Sequence, residues 1–566
     1  MSRSTRRTFL GGCQTLAIGC ALNRFRRTAS GTEPSPASRP SPASRPSPPQ
    51  LNGLRLRPID LRDAIRMAVE HIYHGAVDRR RGYLPVVRFD LTESPPCAQH
   101  SSWGSPHMVG RFIDALAVSA PIVSVPADME VLSGLRRLLF ASLDNPTGFA
   151  FDIGPDPDGR RSACMHHCRE VLLALAGLAT WQKCDESAGR ARRFVRDIEV
   201  ATRATGTFPA GFRLEAGWDE LDGSHRYPPM NSGRLIGALL RYYRAIRDPI
   251  AIDLAVRLAD YNLARAFTPS GDLTEMAGTH LHSIEGTVTG LIDLGRVLGD
   301  AEYVEAGRRI YDVGLRPWRT SFGWAAEKRI NGPGRGEANN TGDLIQTALL
   351  LGQGGHRAYF ADAERFIRNG LLASQVVNTD WIADSDGRPD TPETIYSDVR
   401  RRARGGFVFT TPSDYHSYAT DLVGGAVQSL CDAWNSIVTQ DQAGLHVNLL
   451  LSRPSEAVTV RSHLPVEGRV EATMHRPGPL FIRAPHWLSR ESLRLRINDQ
   501  EQPARPLHHE TFVANLTGGD RVELTFAQPQ QRVAEKAAGH PEPFSVEWLG
   551  DTVTNINPQG RVVRLY

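Results

Sequence analysis

A repeat of paired helices constrains the fold of this sequence more than any other feature. From about Ile59 to about Val438, segments that are apolar nearly all round alternate with amphipathic, arginine-rich segments, and short turns with Gly, Asp or Pro join them. The clearest pairs are 172–183 with 188–198, 236–246 with 252–266, 288–298 with 303–315, and 345–351 with 359–372. Apolar helices must be buried, so they predict an inner ring covered by amphipathic outer helices. With a period of roughly 55 to 65 residues, about six pairs fit the span. The sequence therefore predicts a mainly α fold, an (α/α)6 toroid.

After Leu445 the apolar residues alternate with a period of two, which is typical of strands. Short strands are predicted around 446–451, 457–460, 469–473, 480–483, 493–497, 512–516, 521–526 and 544–553. Such a series favours a β-sandwich. We therefore expect a toroid domain over residues 54–440 and a C-terminal β-sandwich domain over residues 441–566.

The N-terminal residues resemble an export signal. Arg6 and Arg7 open a twin-arginine motif, and a weakly apolar segment follows that is too short to span a bilayer, which needs about 20 apolar residues. Residues 1–28 are thus predicted to be a signal, and the Pro/Ser-rich residues 29–53 a linker. We expect a periplasmic or extracellular protein. Anchoring to the surface through Cys13 or Cys20 stays open, because each follows a small residue.

Charge and cysteine content exclude several classes of protein. The net charge is only +4, and the basic residues are interleaved with acidic ones, which argues against a nucleic-acid partner. The cysteines beyond the signal are few and odd in number, so no disulfide framework is predicted. Cys164 and Cys168 flank His166, but no second ligand pair at zinc-finger spacing accompanies them, so a metal is not expected there.

Candidate site residues are the polar and aromatic side chains that interrupt the apolar inner helices, because a toroid has its pocket at one mouth. They lie in 100–103, 279–283, 324–327, 337–340 and 420–421. Trp103 and Trp324 are predicted to stack on a sugar face. His280 and His282 are predicted to contact the substrate. Glu337 is expected just ahead of a helix that Asn340 or Thr341 caps, that carries Asp343 in its first turn and that ends at Gly352.

Carboxylates among aromatic and histidine side chains fit the hydrolysis of glycosidic bonds, in which one acid protonates the leaving oxygen and a second carboxylate attacks or activates water. An oligosaccharide or polysaccharide is therefore the expected partner.

The sequence resembles the β-L-arabinofuranosidase-type glycoside hydrolases, family 127 and its relatives. The motifs that carry the resemblance are, in chain order, 82–85, 100–103 with 110–111, 279–283, 322–327, Glu337 with 341–343, 405–407, 444–449 and 546–552. The resemblance implies an (α/α)6 barrel with β-sandwich domains. It also implies a retaining mechanism in which a zinc-bound cysteine thiolate is the nucleophile, held by a Glu-x-Cys motif and a Cys-Cys pair, with a separate glutamic acid as acid/base.

The chain departs from the family at the zinc ligands. Glu337 matches the zinc glutamate, but Asn339 stands at the Glu-x-Cys cysteine, and Asp421 and Leu422 stand at the Cys-Cys pair. A set with no soft donor is not suited to a zinc–thiolate centre, so we expect no zinc and no other cofactor. Oxygen ligands of this kind would suit Ca²⁺ or Mg²⁺ as the alternative.

A carboxylate is ionised at neutral pH without help from a metal. We therefore expect Asp421 to act as nucleophile or general base, with Glu337 as its partner and Glu327 or Glu337 as the acid. His280, His282 and Asn339 would contact the sugar, which the resemblance implies is L-arabinofuranose or a similar sugar.

Two other functions stay open. The missing cysteines are also typical of a degenerate toroid that binds carbohydrate without cleaving it. A lyase or epimerase is the third possibility, since helical toroids host these reactions too; it would need a Tyr or His base beside an arginine clamp.

Overall fold

The computed structural model describes residues 50–51, 56–100, 105–125, 129–145, 147–152, 165–208, 227–330, 332, 334–507 and 510–566. The predicted signal lies outside the described residues, and so does the predicted linker except for Gln50 and Leu51.

Helices make up most of the described chain before residue 438. In order they are α1 (Leu61–His74), α2 (Ser105–Ser119), α3 (Met129–Leu143), α4 (Cys168–Trp181), α5 (Asp185–Thr202), α6 (Leu235–Ile246), α7 (Ile250–Ala266), α8 (Leu281–Leu298), α9 (Ala301–Arg309), α10 (Ala338–Gln353), α11 (Tyr359–Arg365), α12 (Val399–Ala403) and α13 (Leu422–Ile437). Single π-helical turns extend α9 through Ile310–Gly314 and α11 through Phe366–Leu371.

Six of these helices form a closed inner ring in the order α2, α4, α6, α8, α10, α13, and α13 contacts α2 again. The outer helices α1, α3, α5, α7, α9 and α11 each pack beside an inner one. Inner helices are buried on nearly every side, as in α4 from Cys168 to Leu178, whereas outer helices such as α5 bury one stripe. The predicted (α/α)6 toroid is confirmed.

The helix after Glu337 begins earlier than the sequence predicts. Glu337 itself is the N-cap residue, with extended φ and ψ of −126° and 134°, and the helix starts at Ala338. The predicted caps serve other segments: Asn340 donates to the Ala326 carbonyl and Thr341 donates to the Gly323 carbonyl. Local cap propensity was therefore overridden by tertiary hydrogen bonds, and the helix continues through Gln353, one residue beyond Gly352.

The described strands are β1 (Val77–Asp78), β2 (Leu84–Pro85), β3 (Arg88–Asp90), β4 (Cys97–Gln99), β5 (Thr394–Ile395), β6 (Val408–Thr410), β7 (Tyr415–Ala419), β8 (Val438–Gln440), β9 (Leu445–Val447), β10 (Arg453–Pro454), β11 (Val458–Ser462), β12 (Arg469–Met474), β13 (Gly478–Arg483), β14 (Arg494–Ile497), β15 (Gln500–Gln502), β16 (Arg505–Leu507), β17 (Glu510–Leu516), β18 (Arg521–Thr525), β19 (Gln530–Glu535), β20 (Phe544–Leu549) and β21 (Thr552–Asn557).

Two C-terminal sheets pack into the predicted sandwich. One has the strand order β10-β11-β12-β18-β14-β15 and the other β16-β17-β13-β9-β8. Their inward residues share one apolar core that includes Val447, Val460 and Leu524. The alternation is visible in β12, where every second residue from Val470 to Met474 is buried.

The last predicted strand, 544–553, belongs to a different layer. It forms β20 and the start of β21 in a separate sheet, β19-β20-β21, whose Phe544, Val546 and Trp548 join the apolar core of the toroid. Its assignment to the sandwich was wrong, because strand periodicity shows that a segment is half-buried but not which neighbour buries it.

A small sheet, β5-β4-β3-β7-β6, inserts between the toroid helices. Its strand β7 leads directly into Thr420, whose backbone N–H and side-chain hydroxyl bond to the Val87 and Val86 carbonyls. This anchor sets the position of Asp421 at the start of α13. None of the helices within the described ranges is long and apolar enough to cross a membrane.

Candidate functional site

The predicted catalytic carboxylates meet at one mouth of the ring, where the inner helices begin. Glu337 precedes α10 and Asp421 precedes α13, and these two helices are neighbours in the ring. Other buried polar side chains come from the same ends: His107 and Arg111 from α2, Glu170 from α4, Arg234 before α6, and His282 from α8. The toroid thus gathers residues that are more than 300 positions apart into one polar centre, as Arg111 and Asp421 show.

Asn339 joins the two carboxylates. Its Nδ2 lies 2.6 Å from Oε1 of Glu337 and 3.4 Å from Oδ2 of Asp421. Because both distances start from one nitrogen, these two carboxylate oxygens lie no more than about 6 Å apart. A Cβ on Gly425 would lie 2.3 Å from Oδ1 of Asn339, so this glycine lets α13 come close enough for the contact.

The two carboxyl groups are held in opposite protonation states. Burial, together with the charges of Glu327 and Asp421, raises the pKa of Glu337 to about 8. Burial alone would also raise the pKa of Asp421, but the His107 imidazole, whose Nε2 lies 3.8 Å from Oδ2, and the Arg111 charge outweigh it and lower that pKa below its ordinary value. Near neutral pH, Glu337 therefore carries a proton and Asp421 carries a negative charge. This division is what an acid and a nucleophile or base require.

Glu327, the third predicted catalytic acid, is engaged by an arginine. Arg335 donates from Nε to Oε2 at 2.5 Å and from Nη2 to Oε1 at 3.1 Å. Lys328 Nζ also lies 3.9 Å from Oε1. This two-point ion pair occupies both carboxylate oxygens of Glu327. Glu337 is thus better placed than Glu327 to act as the acid.

The predicted histidines differ in their surroundings. His280 is partly buried and is the N-cap of α8, where its Nδ1 accepts from the Ser283 N–H at 3.3 Å. His282 is buried, and both ring nitrogens are engaged: Nε2 lies 2.8 Å from Arg111 Nη2, and Nδ1 lies 2.5 Å from Asp343 Oδ2. His282 therefore lies behind the site, whereas contact between His280 and substrate stays a prediction.

The two predicted stacking tryptophans have different outcomes. Trp103 lies outside the described residues. Trp324 is buried in the toroid core, and its indole N–H donates to the Thr410 carbonyl at 3.1 Å. With 3% of its surface exposed, Trp324 supports the strand segment before Glu337 and offers no open ring face for a sugar.

A buried charge cluster below the carboxylates was not predicted as part of the site. Glu170 is fully buried, and three guanidinium groups converge on its Oε1, from Arg169 at 3.0 Å, from Arg111 at 3.4 Å and from Arg234. Burial would raise the pKa of Glu170, but Arg234 and His107 outweigh it and hold that pKa well below its ordinary range. The sequence signal that could have identified this cluster is the presence of charged residues within the apolar segments of α2 and α4.

The donor set does not fit the zinc that the family resemblance implies. Oδ1 of Asn339 accepts from Arg111 Nη1 at 3.1 Å, so the amide presents N–H groups, which cannot coordinate a metal, to Glu337 and Asp421. Leu422 supplies no donor atom. Within the described parts of the chain, no group of three or more His, Cys, Asp or Glu side chains is arranged to hold a metal ion.

Comparison with known proteins agrees with this architecture. Residues 165–375 match the family model described as β-L-arabinofuranosidase, GH127 catalytic domain. The matched range includes His280, Glu327, Glu337 and Asn339 but ends before Asp421. A search of curated proteins finds no match.

Solved structures share the fold at low sequence identity. A GH127 β-arabinofuranosidase has a TM-score of 0.59 at 13% identity, over 87% of this chain and 78% of that one. A GH127 β-L-arabinofuranosidase from Geobacillus stearothermophilus T6 has a TM-score of 0.54 at 13% identity, over 79% and 76%. A structure described as a glycoside hydrolase has a TM-score of 0.54 at 12% identity, over 85% and 84%. The predicted resemblance to GH127 enzymes is confirmed over residues 165–375 by the family model and over most of the chain by the shared fold.

Proposed function

We propose that this protein is a retaining glycoside hydrolase that works without a metal, with Asp421 as nucleophile and Glu337 as acid/base. The observation that carries the proposal is the pair itself: an oxygen of Glu337 lies within about 6 Å of an oxygen of Asp421, and one group is protonated and the other ionised near neutral pH. The retaining course follows the family resemblance. The GH127 match supports a saccharide substrate. We propose an oligosaccharide or polysaccharide that ends in L-arabinofuranose or a similar sugar.

The first step forms a covalent intermediate. An Asp421 carboxylate oxygen attacks the anomeric carbon while the protonated Glu337 gives its proton to the leaving glycosidic oxygen, so that the glycosidic bond breaks as a glycosyl ester forms. Asn339 suits both partners, because its two N–H groups donate to a carbonyl-type oxygen of Glu337 and to Asp421.

The second step reverses these roles. Glu337, now ionised, removes a proton from water, and the water oxygen attacks the anomeric carbon and frees Asp421. Two inversions at one carbon retain the anomeric configuration. A thiolate on zinc is not needed, because the Asp421 carboxylate is ionised through its His107 and Arg111 neighbours.

The other two functions find less support. A lyase or epimerase would need an arginine clamp open to the substrate, but Arg111, Arg169 and Arg234 are committed to Glu170. A carbohydrate-binding toroid without catalysis would not need a buried Glu337 beside a partly buried Asp421 with opposed pKa shifts. The twin-arginine motif supports export, so we propose that the substrate is met outside the cytoplasm.

The test is turnover on a panel of aryl glycosides that includes the β-L-arabinofuranoside, with Glu337→Gln and Asp421→Asn as variants. We expect release of the aglycone by the wild-type protein, and a loss in kcat/KM on the order of 10³-fold or more in Asp421→Asn. Both variants should keep the thermal unfolding midpoint of the wild type to within a few degrees. Full activity in both variants, or sugar binding with no turnover by the wild type, would remove the proposal.

A further inference from the structure

A chain of hydrogen bonds runs from the carboxyl pair into the body of the toroid. Asn339 Oδ1 accepts from Arg111 Nη1 at 3.1 Å, Arg111 Nη2 reaches His282 Nε2 at 2.8 Å, and His282 Nδ1 reaches Asp343 Oδ2 at 2.5 Å. All four side chains are buried. This series of hydrogen bonds starts and ends on α10, because Asp343 follows Asn339 by one helical turn.

The chemistry of arginine fixes the direction of every hydrogen bond in this series, because the bonds run outward from Arg111 on both sides. A guanidinium group only donates, so the Asn339 atom that faces it must be the amide oxygen, and the amide N–H groups must point to Glu337 and Asp421. For the same reason His282 Nε2 must accept from Arg111. The proton of the neutral imidazole therefore lies on Nδ1 and is donated to Asp343.

The imidazole is held neutral by its surroundings. Burial and the charges of Arg234 and Arg111 lower the pKa of His282 well below its ordinary value. Arg234 Nη2 lies 3.4 Å from Nε2, and the ring of His280 lies 5.9 Å away. Asp343, the last residue of this hydrogen-bond series, borders a cavity of about 560 Å³ at the opposite end of the inner helices. Asp343 is therefore not surrounded only by apolar side chains.

Arg111 crosses the ring, since α2 and α8 are opposite each other in the ring order. Without an acceptor at His282 Nε2, its guanidinium would keep its contacts with His107 Nε2 and Glu170 Oε1 but would lose the partner that α8 contributes from across the ring. Asn339 could then rotate and present its oxygen to Glu337, which would separate the two carboxyl groups.

We propose that His282 and Asp343 are positioning residues for the reaction: they fix the amide orientation of Asn339 through Arg111 and thereby align Glu337 with Asp421. The proposal rests on the proposed glycoside hydrolase function for its kinetic consequences. The hydrogen-bond direction itself can be tested without any substrate.

The central experiment compares His282→Gln with His282→Phe. The Gln side chain offers an oxygen to accept from Arg111 and an N–H to donate to Asp343, whereas Phe matches the ring in shape but makes neither bond. If His282 only fills space, Phe should serve as well as Gln. If it positions Arg111, Gln should keep kcat within about tenfold of wild type, and Phe should lower kcat on the order of 100-fold with little change in KM.

A second readout follows Glu337 directly. In protein labelled with ¹³C at the glutamate carboxyl groups, the Glu337 signal is identified by its loss in Glu337→Gln and is titrated by NMR. The groups that act on Glu337 include Glu327, Asp421, Asn339 and Arg111, and the last two lower its pKa. His282→Phe should therefore raise the Glu337 pKa by about one unit, while His282→Gln should leave it within about 0.3 units of the wild-type value.

A third readout needs only the wild-type protein. In ¹⁵N-histidine-labelled protein, the His282 signal, assigned by its loss in His282→Gln, should show the neutral tautomer with the proton on Nδ1. The opposite tautomer would overturn the proposal, and so would equal kcat and equal Glu337 pKa in the Gln and Phe variants. If no glycoside is hydrolysed, the proposed function fails, but the tautomer and the Glu337 titration still decide the positioning role.

Discussion

Glu337 and Asp421 stand at the starts of two neighbouring inner helices, hydrogen-bond to one amide nitrogen, and have pKa values shifted in opposite directions. In the related enzymes, as the sequence resemblance implies, a metal and a thiolate would occupy this place. In the mechanism we propose, burial and charged neighbours make Glu337 the proton donor and Asp421 the anion. The following predictions test that arrangement.

The two carboxyl groups should respond differently to the leaving group. In Glu337→Gln, activity on alkyl or weakly activated aryl glycosides should fall by about 10²- to 10⁴-fold, because the proton donor is gone. Activity on a dinitrophenyl glycoside should fall far less, since that leaving group departs without a proton. Asp421→Asn should be inactive on both substrates. Equal losses on both substrates in Glu337→Gln would contradict its role as the acid, as measured by steady-state kinetics.

The pH dependence of kcat/KM should follow the two shifted groups. Activity requires protonated Glu337, so it should decline as the pH rises through about 8. It also requires ionised Asp421, so the acidic decline should lie below the ordinary range of an aspartate. Glu327→Gln removes a negative charge that raises the Glu337 pKa, and should move the alkaline decline to lower pH by about 0.5 to 1 unit. An unmoved alkaline limb in that variant would show that another group controls it.

The wild-type enzyme should not depend on zinc. We expect less than about 0.1 zinc per chain in purified protein and unchanged kcat after incubation with EDTA, because Asn339 and Leu422 replace the cysteines of a thiolate site. Metal content is measured by plasma mass spectrometry, with a cysteine-containing relative as the positive control. One zinc per chain that is lost together with activity would refute the proposal.

One buried ion triad joins the toroid to the sandwich. We therefore expect the two domains to unfold in one cooperative transition. Glu364, near the end of α11, accepts hydrogen bonds from Arg368 and from Arg483 of β13. All three side chains are buried. Burial would raise the pKa of Glu364, but the two arginines outweigh it and lower that pKa. Glu364→Gln leaves two buried cations without a counter-charge and should cost about 3 to 5 kcal/mol.

The same triad sets a pH dependence of stability. Because the folded pKa of Glu364 is lowered, its stabilising contribution is present above the ordinary glutamate value and is lost as the pH falls through the folded value. In urea unfolding, the stability difference between wild type and Glu364→Gln should therefore be largest at pH 7 and should shrink as the pH falls below the ordinary glutamate value. Arg532→Met, which breaks the exposed pair with Glu547, is the control and should change stability by less than about 1 kcal/mol.

Trp324 should matter for stability rather than for sugar binding. Trp324→Phe removes the hydrogen bond to the Thr410 carbonyl and should cost about 1 to 2 kcal/mol, with KM changed less than about twofold. Trp381→Phe is the matched control, because it loses a similar bond to the Asn378 carbonyl in a separate apolar cluster. A large rise in KM only in Trp324→Phe would instead support the stacking role that the sequence suggested.

Apolar periodicity was sufficient to predict the two-layer helical ring and the sandwich, since burial of one face or of all faces is written into the spacing of apolar residues. The departure from the family at Asn339 and Asp421 was also visible in the sequence. The start of α10 was not visible in the sequence, because hydrogen bonds from Asn340 and Thr341 to distant segments determine it. The placement of β20 was not visible either, because β20 packs into the apolar core of the toroid.

What the sequence by itself determined is the kind of fold and the identity of the two central carboxylates, because both follow from local patterns and from residue types at matching positions. The roles proposed for them rest on the tertiary structure. In the folded protein, Glu327 forms an ion pair with Arg335, His282 lies behind Arg111, and Trp324 is buried in the core. The physical reason is that a pKa and a hydrogen-bond direction depend on burial and on neighbours contributed by other helices, and these neighbours come together only when the ring closes.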